Sequence, residues 1–460
     1  MKEAQAAARL NQFVIEEVQK HRTGTNFPPA RPFSEVKALI EASSIFKFIQ
    51  EMPKGGLLHV HLSAAGRMDW IISSALKSPN CYVDWPLTSP EWGGLRFFST
   101  PQEASMRGFI RVSEAVVRHQ RTGRCFVTEL RKCLTLGSEN HGPERAWVAF
   151  GRIFDRLDRF IRYQPMFAGY LYDAFKTLWN DGVYYVELRD SLAPLYNLDG
   201  TPDLKDEAVV HELLNARAMM RAEHPEFDCR LIVTDVRWAE NAEANLERAI
   251  SLRQRFPDFV IGYDLIGEED SHAGSATVEK ALAFLPLLQS SKDSPNPEKS
   301  LPCYLHNGES AWADNENLFD AALLQCPRIG HGFNLFRYPV LYPLLIANGR
   351  ALEVCLISNQ LLQLTSDLRT HPASGYLNAG VQCVLASDDP AIFGNDGLSY
   401  DFWEALMAWN LDLAALKKLA RNSITHSGLK PDAKARLMSF WETQWHSFID
   451  RQKAVLQSKN

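Results

Sequence analysis

Eight short apolar runs separated by helix-like stretches predict an α/β fold, a (β/α)8 barrel of the TIM type. Three observations carry that expectation. The runs are nearly continuous in apolar and β-branched residues, the pattern of parallel strands buried on both faces. Helical periodicity returns between most of them, as in AEANLERAISLRQRF (Ala242–Phe256), NENLFDAALLQ (Asn315–Gln325) and YPVLYPLLIANG (Tyr338–Gly349). Polar, chemistry-bearing residues stand near the ends of the runs, where a parallel barrel keeps its active site. A doubly wound open sheet shares the periodicity, so the barrel rests on the count of eight.

The elements follow in order. Residues 1–54 read as a helical N-terminal extension, with a proline-rich hinge at FPPARPF (Phe27–Phe33). Residues 55–460 read as the barrel domain. Its strand-like runs are Gly56–Ala64, Val183–Arg189, Arg230–Val236, Val260–Gly267, Pro302–Glu309, Arg328–Phe333, Leu352–Ser358 and Gln382–Asp389. Residues from about 78 to 145 break the rhythm with SPEWGGLRFFSTP and GSENHGPE, and read as a subdomain inserted after the first strand. Residues 405–460 are helical and close the chain.

Composition narrows the class. Of 460 residues, 46% are apolar and 23% charged, as in a globular protein, and the net charge of −6 offers no basic face for nucleic acid. No apolar run approaches the roughly 20 residues of a membrane span. The eight cysteines lie far apart with no CxxC pair, several inside strand-like runs, and read as reduced, packed thiols. No Asn-x-Ser/Thr acceptor occurs. These points favour the cytoplasm; a secreted form would need a leader that has been removed.

The chemistry lies at the strand ends. The first run carries His59 and His61, which strand alternation puts on one face. The fifth ends in His306 and Glu309, the sixth carries His331 between two glycines, and the eighth ends in Asp388 and Asp389. Imidazoles facing into a buried barrel are costly unless something binds them, and so are adjacent carboxylates. One divalent cation answers both problems. Neutral imidazoles with one carboxylate suit zinc, one ion per chain, with His59, His61, His306 and Asp388 as ligands. Such an ion supplies an acidified water. His331 is then placed to take or steer the water's proton, and Glu309 to give a proton to substrate. Asp389 is left to contact substrate or to support the ligands, and before Pro390 it also reads as a helix N-cap. Glu309 alone could be a charge at a helix start. His371 before Pro372 reads as a helix start, and Asp264 and His272 receive no assignment. HELLN (His211–Asn215) lacks the second histidine of a metalloprotease helix, and the zinc-deaminase pairing of His-x-Glu with Pro-Cys-x-x-Cys is missing.

In order along the chain, MPKGGLLHVHL, YVELR, GYDLIGEED, LHNGES, RIGHGF, EVCLISNQ and VLASDDPAIFG-x4-SYDF resemble the adenosine/AMP deaminase family of zinc amidohydrolases, from Met52 to Phe402. The similarity is greatest to the adenosine deaminase growth factor subfamily, the secreted-type enzymes. The resemblance implies hydrolytic loss of the purine 6-amino group, turning adenosine into inosine and ammonia. It implies zinc on His59, His61, His306 and Asp388, with Glu309 protonating purine N1. His331 would orient and deprotonate the water, Asp389 would bond the water and purine N7, and the Gly267 amide would meet N3. It also implies a homodimer formed through the N-terminal extension. The chain departs from the family pattern beside the site. Leu62 and Ser63 replace the aspartate that usually follows His-x-His, and Asn307 replaces the usual alanine. These changes leave open AMP, adenine or an N6-substituted adenine as substrate, and another metal hydrolase on the same scaffold. Arg67 and Arg189 are the candidates to meet a phosphate, or else form ion pairs.

Overall fold

A computed structural model describes residues 2–21, 27–84, 93–138, 142–239, 241–270, 300–312 and 314–457. His272 lies outside the described residues.

Eight parallel strands form the centre: β1 (Gly55–His61), β5 (Val183–Asp190), β6 (Asp228–Val236), β7 (Val260–Ile266), β8 (His306–Asn307), β9 (Arg328–His331), β10 (Ala351–Val354) and β11 (Gln382–Leu385). They pair as two four-stranded sheets, β1-β5-β6-β7 and β11-β10-β9-β8, rather than as one continuous ladder. A single parallel bridge joins the two sheets at each seam, Tyr263 to Cys303 and Val60 to Asp388. The second seam lies at the predicted site: His61 N donates to Asp388 O at 3.0 Å, and Asp388 N to His59 O at 3.2 Å. The α/β class and the eight parallel strands expected from the sequence are therefore present, as two sheets that meet at single bridges and not as one closed ladder, and one of these seams lies where the chemistry-bearing residues meet.

Several strands are shorter than the apolar runs that announced them. LEVCLIS is β10 followed by a helix, Leu356–Leu361, not one strand. RIGHGF is β9 followed by a 3-10 turn, Phe333–Arg337. The backbone leaves the extended region at these ends, with φ of +60° at His331 and +59° at Asp388. A non-glycine residue held there is strained, and such strain gathers at functional sites. The run at Pro302–Glu309 is strand only at His306–Asn307.

Between β1 and β5, the strands β2 (Cys81–Asp84), β3 (Leu95–Phe97) and β4 (Phe109–Arg111) form an antiparallel sheet of order β3-β2-β4. The helix Pro143–Ile161 packs on β3 and on the turn after β1, which brings it to the mouth of the barrel. At the opposite end, the helix Leu413–Thr425 lies across β11 and β1, and Ser423 Oγ accepts from Gly56 N at 2.7 Å. The helix Pro431–Gln457 buries Trp441 and Trp445, and the N-terminal helix Lys2–His21, which buries Ala6 and Leu10, packs on it. Six cysteines are buried as expected, but Cys125 is exposed, because it sits at the tip preceding the helix Phe126–Leu134. Among the described residues, no helix is long and apolar enough to cross a membrane.

Candidate metal centre and active site

β1 delivers His59 and His61 to one side of the mouth, and the seam bridge holds Asp388 directly beside them. His59 Nε2 lies 3.2 Å and His61 Nε2 3.3 Å from the same oxygen, Asp388 Oδ1. The His306 ring centroid is 4.5 Å from that of His59. One ligand atom from each of His59, His61, His306 and Asp388 falls within 4.8 Å of the others, so these four can hold one ion. Among the described residues, two other groups bring ligand atoms as close together: His59, His331, Cys355 and Asp388, and His306, Glu309 and His331. The chemistry favours the first set. Burial and nearby carboxylates push the Cys355 thiol well up, so it stays protonated and is a poor ligand.

The orientation of the rings supports the same choice. His59 Nδ1 is 2.8 Å from Glu353 Oε2, and His306 Nδ1 is 2.7 Å from Asp264 Oδ2. A carboxylate on one ring nitrogen leaves the other free as a ligand, the usual support for metal-binding histidines. Burial pushes His306 down to about 3, so its ring is neutral. Asp264 also accepts from His306 N at 2.8 Å and from Arg189 Nε at 2.6 Å. Burial opposes its charge, but His306 and Arg189 hold it well below the usual carboxylate range. Arg189 continues to Glu353 Oε2 at 2.6 Å, and Glu353 Oε1 accepts from Arg328 Nε at 2.6 Å. A fully buried chain of alternating charges thus lies beneath the site.

Sequence reasoning missed Asp264 and Glu353. Both were readable in principle, because a carboxylate inside an apolar strand run needs a partner. Arg189 belongs to this buried chain and does not reach out to meet a phosphate. Arg67 is held by Asp173, at 3.0 and 2.5 Å.

The two adjacent aspartates differ in state. Burial disfavours charge on both, but hydrogen bonds with His59 and His61 hold Asp388 low, while burial and the Asp388 charge push Asp389 well up. Asp389 stands at the N-cap position of Pro390–Phe393, yet its side chain makes no capping bond and remains available to the site. Burial and the Asp388 charge also push Glu309 well up, the condition for a proton donor at neutral pH. No helix starts at Glu309; its backbone is irregular. Glu269 anchors this loop, accepting from Gly308 N at 3.0 Å and from Asn317 Nδ2 at 2.7 Å. Arg237 braces the opposite side through Glu269 and Gly267 O. Among the described residues, His59 Nε2, His331 Nε2, Glu309 Oε1, Asp388 Oδ1 and Asp389 Oδ1 are buried without a hydrogen bond of good geometry. Buried polar atoms are rarely left so, and His59 Nε2 with Asp388 Oδ1, 3.2 Å apart, fit a cation held between them.

His61, His306, Glu309, Asp388 and Asp389 open onto a cavity of about 430 Å³ whose wall includes Leu62, Trp147, Phe150, Phe154, Trp238 and Gly267. Gly267 has φ of +104°, and a Cβ there would lie 2.5 Å from the Trp238 ring, so only glycine lets this wall close. On the far side, Ser63 Oγ donates to Asp158 Oδ1 at 2.5 Å. Arg162, which also lines the cavity, is bound by Asp158 at 3.0 Å and by both oxygens of Asp190.

A parallel barrel with three imidazoles and an aspartate at the C-terminal ends of its strands defines a hydrolase of the amidohydrolase type. Residues 131–443 match the family model described as Adenosine deaminase. The chain is 35% identical to adenosine deaminase 2 of Sus scrofa, over 97% of this chain and 89% of that one. It is 36% identical to adenosine deaminase 2-A of Danio rerio, over 92% and 85%. In fold it is similar to the N6-methyl-AMP deaminase of Arabidopsis thaliana, with a TM-score of 0.60 at 20% identity over 86% of this chain and 98% of that one. The chain belongs to the adenosine deaminase family, and it is a deaminase of the amidohydrolase type, as the motifs led us to expect.

Proposed function

We propose that the protein removes the 6-amino group of adenosine or a close adenine nucleoside by hydrolysis, with one zinc ion held by His59, His61, His306 and Asp388. The observation that carries this reading is the convergence of His59 Nε2 and His61 Nε2 on Asp388 Oδ1, beside a buried Glu309 whose acid form is favoured. Bound there, the ion supplies a water acidified to a pKa of roughly 7.

The chain's own groups do the rest. Trp147, Phe150, Phe154 and Trp238 offer apolar surface for the base. Glu309 gives a proton to N1, which relieves the charge that builds there as the water oxygen bonds to C6. His331 orients the water and Asp389 bonds to it and to N7, while the Gly267 amide meets N3. The C6–N bond then breaks. One water proton leaves with ammonia and the other restores Glu309.

The cavity wall favours a nucleoside over a nucleotide. Among its described residues the arginines, Arg162 and Arg189, are both engaged by carboxylates, and Asp155, Asp158 and Asp190 face the same space. A phosphate would be repelled there. Asp158, held by Ser63, offers a carboxylate to sugar hydroxyls where Leu62 and Ser63 depart from the family pattern. We read residues 1–54 as an extension that pairs two copies, and 55–460 as the catalytic domain, acting in the cytoplasm. A steady-state comparison of adenosine, 2′-deoxyadenosine, AMP, adenine and N6-methyl-AMP on one metal-loaded preparation tests the reading. Adenosine should give the highest kcat/KM, and a preference for AMP would overturn the nucleoside assignment.

A further inference from the structure

We propose that Asn359 and His371 are positioning residues that decide which ring nitrogen of His331 carries its hydrogen. The three lie on separate elements: His331 on β9, Asn359 on the helix Leu356–Leu361, and His371 ahead of the helix Ala373–Ala379. Their exposures are 2%, 1% and 2%, so all three side chains are buried.

The argument starts from a group that can only donate. The backbone N–H of Ala373 lies 3.2 Å from His371 Nδ1, so that nitrogen is bare. Burial pushes the His371 ring down to about 3, so it is neutral and its hydrogen sits on Nε2. His371 Nε2 faces Asn359 Oδ1 at 3.0 Å, which fixes the orientation of the amide. The amide nitrogen therefore points the other way, to His331 Nδ1 at 3.1 Å. An amide nitrogen offers only hydrogens, so His331 Nδ1 must accept. The neutral His331 ring then carries its hydrogen on Nε2, the buried atom that faces Asp388 Oδ2 at 3.9 Å.

Glu309 Oε1 also lies near His331 Nδ1, at 3.4 Å. As an acid it reinforces the same arrangement; as a carboxylate it would compete with Asn359. With the hydrogen on Nε2, His331 presents a donor to the reacting water and holds its lone pair toward C6. It does not begin the cycle as a base, so its part is to orient the water. Sequence had given His371 no part beyond starting a helix, and Asn359 none at all.

The inference rests on the deaminase reading for its catalytic meaning, but its first readout does not involve turnover. Long-range ¹⁵N–¹H correlation on histidine-labelled full-length protein reports the tautomer of each ring, with His331 assigned by loss of its signal in His331→Gln. We expect Nε2–H for both His331 and His371. Asn359→Asp, nearly isosteric, replaces the donor with an acceptor and should turn His331 to Nδ1–H. The kcat for adenosine should then fall on the order of 10–100-fold with little change in KM or metal content. His371→Gln, which can still donate to Asn359, should keep the wild-type tautomer at His331, whereas His371→Leu should not hold it. Nδ1–H at His331 in the wild type, or an unchanged tautomer in Asn359→Asp, would overturn the proposal. Failure of turnover in every form with the tautomers as expected would instead overturn the deaminase reading.

Discussion

Replacing Asp264 by asparagine tests whether the buried charges beneath the site hold the metal ligands in place. The carboxylate meets His306 Nδ1 at 2.7 Å, His306 N at 2.8 Å and Arg189 Nε at 2.6 Å. The amide keeps one acceptor oxygen and turns two hydrogens toward groups that are themselves donors. Oδ2 accepts two of the three bonds and Oδ1 the third, so the amide loses one bond with its oxygen at the Oδ2 position and two with it at Oδ1. At about 1.5–3 kcal/mol for a hydrogen bond to a charged group the loss is about 1.5–6 kcal/mol, which spans the roughly 3–5 kcal/mol seen when one partner of a buried ion pair is removed. The Arg189 charge also loses one of its two carboxylate partners. His306, freed to rotate or change tautomer, should weaken metal binding about 10–100-fold. Metal affinity is measured by competition against a chelator, and stability by denaturant unfolding of the metal-free protein. Asp203→Asn, an exposed carboxylate of the same charge, is the control. If Asp264→Asn binds metal and resists denaturant like that control, the carboxylate is not what orients His306.

Three further outcomes follow from the geometry. Glu309→Gln should keep its metal, measured by elemental analysis, and lose about 10²–10⁴-fold in kcat, since an amide cannot protonate N1; full turnover would refute the donor role. Asp158→Ala should raise KM for adenosine about tenfold, the loss of one hydrogen bond of roughly 1.4 kcal/mol, and leave adenine unchanged; equal effects on both substrates would remove Asp158 from the sugar side. Burial pushes His426 down to about 4 and His371 to about 3, so each is neutral in the fold while its unfolded counterpart titrates near 6.5. The unfolded chain therefore binds the extra protons, and stability present above about pH 6.5 is lost toward pH 4, at roughly 1.4 kcal/mol per pH unit per histidine. Tm measured from neutral pH to about pH 5 should fall less steeply in His426→Leu than in the wild type, and parallel slopes would count against this assignment.

Much of the site could be read from local pattern because its ligands obey local geometry. His59 and His61 share a face because strand side chains alternate, and His306, His331 and Asp388 stand where apolar runs end. The sequence by itself thus determined the strand order, the inward histidines and the carboxylates at the mouth, all consequences of periodicities of two and 3.6 residues. Only the tertiary structure decided which groups answer one another. Glu353 reaches His59 across 294 residues, and Asp264 reaches His306 across 42, because both are buried charges whose partners lie on other strands. Asp158 reached the cavity because a helix beyond the inserted sheet folds back onto the turn after β1. Asn359 lay one residue past a run read as extended, Leu352–Ser358, and it came to face His331 only because β10 ends early and a helix begins. Chain periodicity constrains the direction of a side chain relative to its neighbours. Only the packing of the two sheets against each other brings distant side chains within the 3 Å or so at which a hydrogen bond selects a tautomer or a charge state.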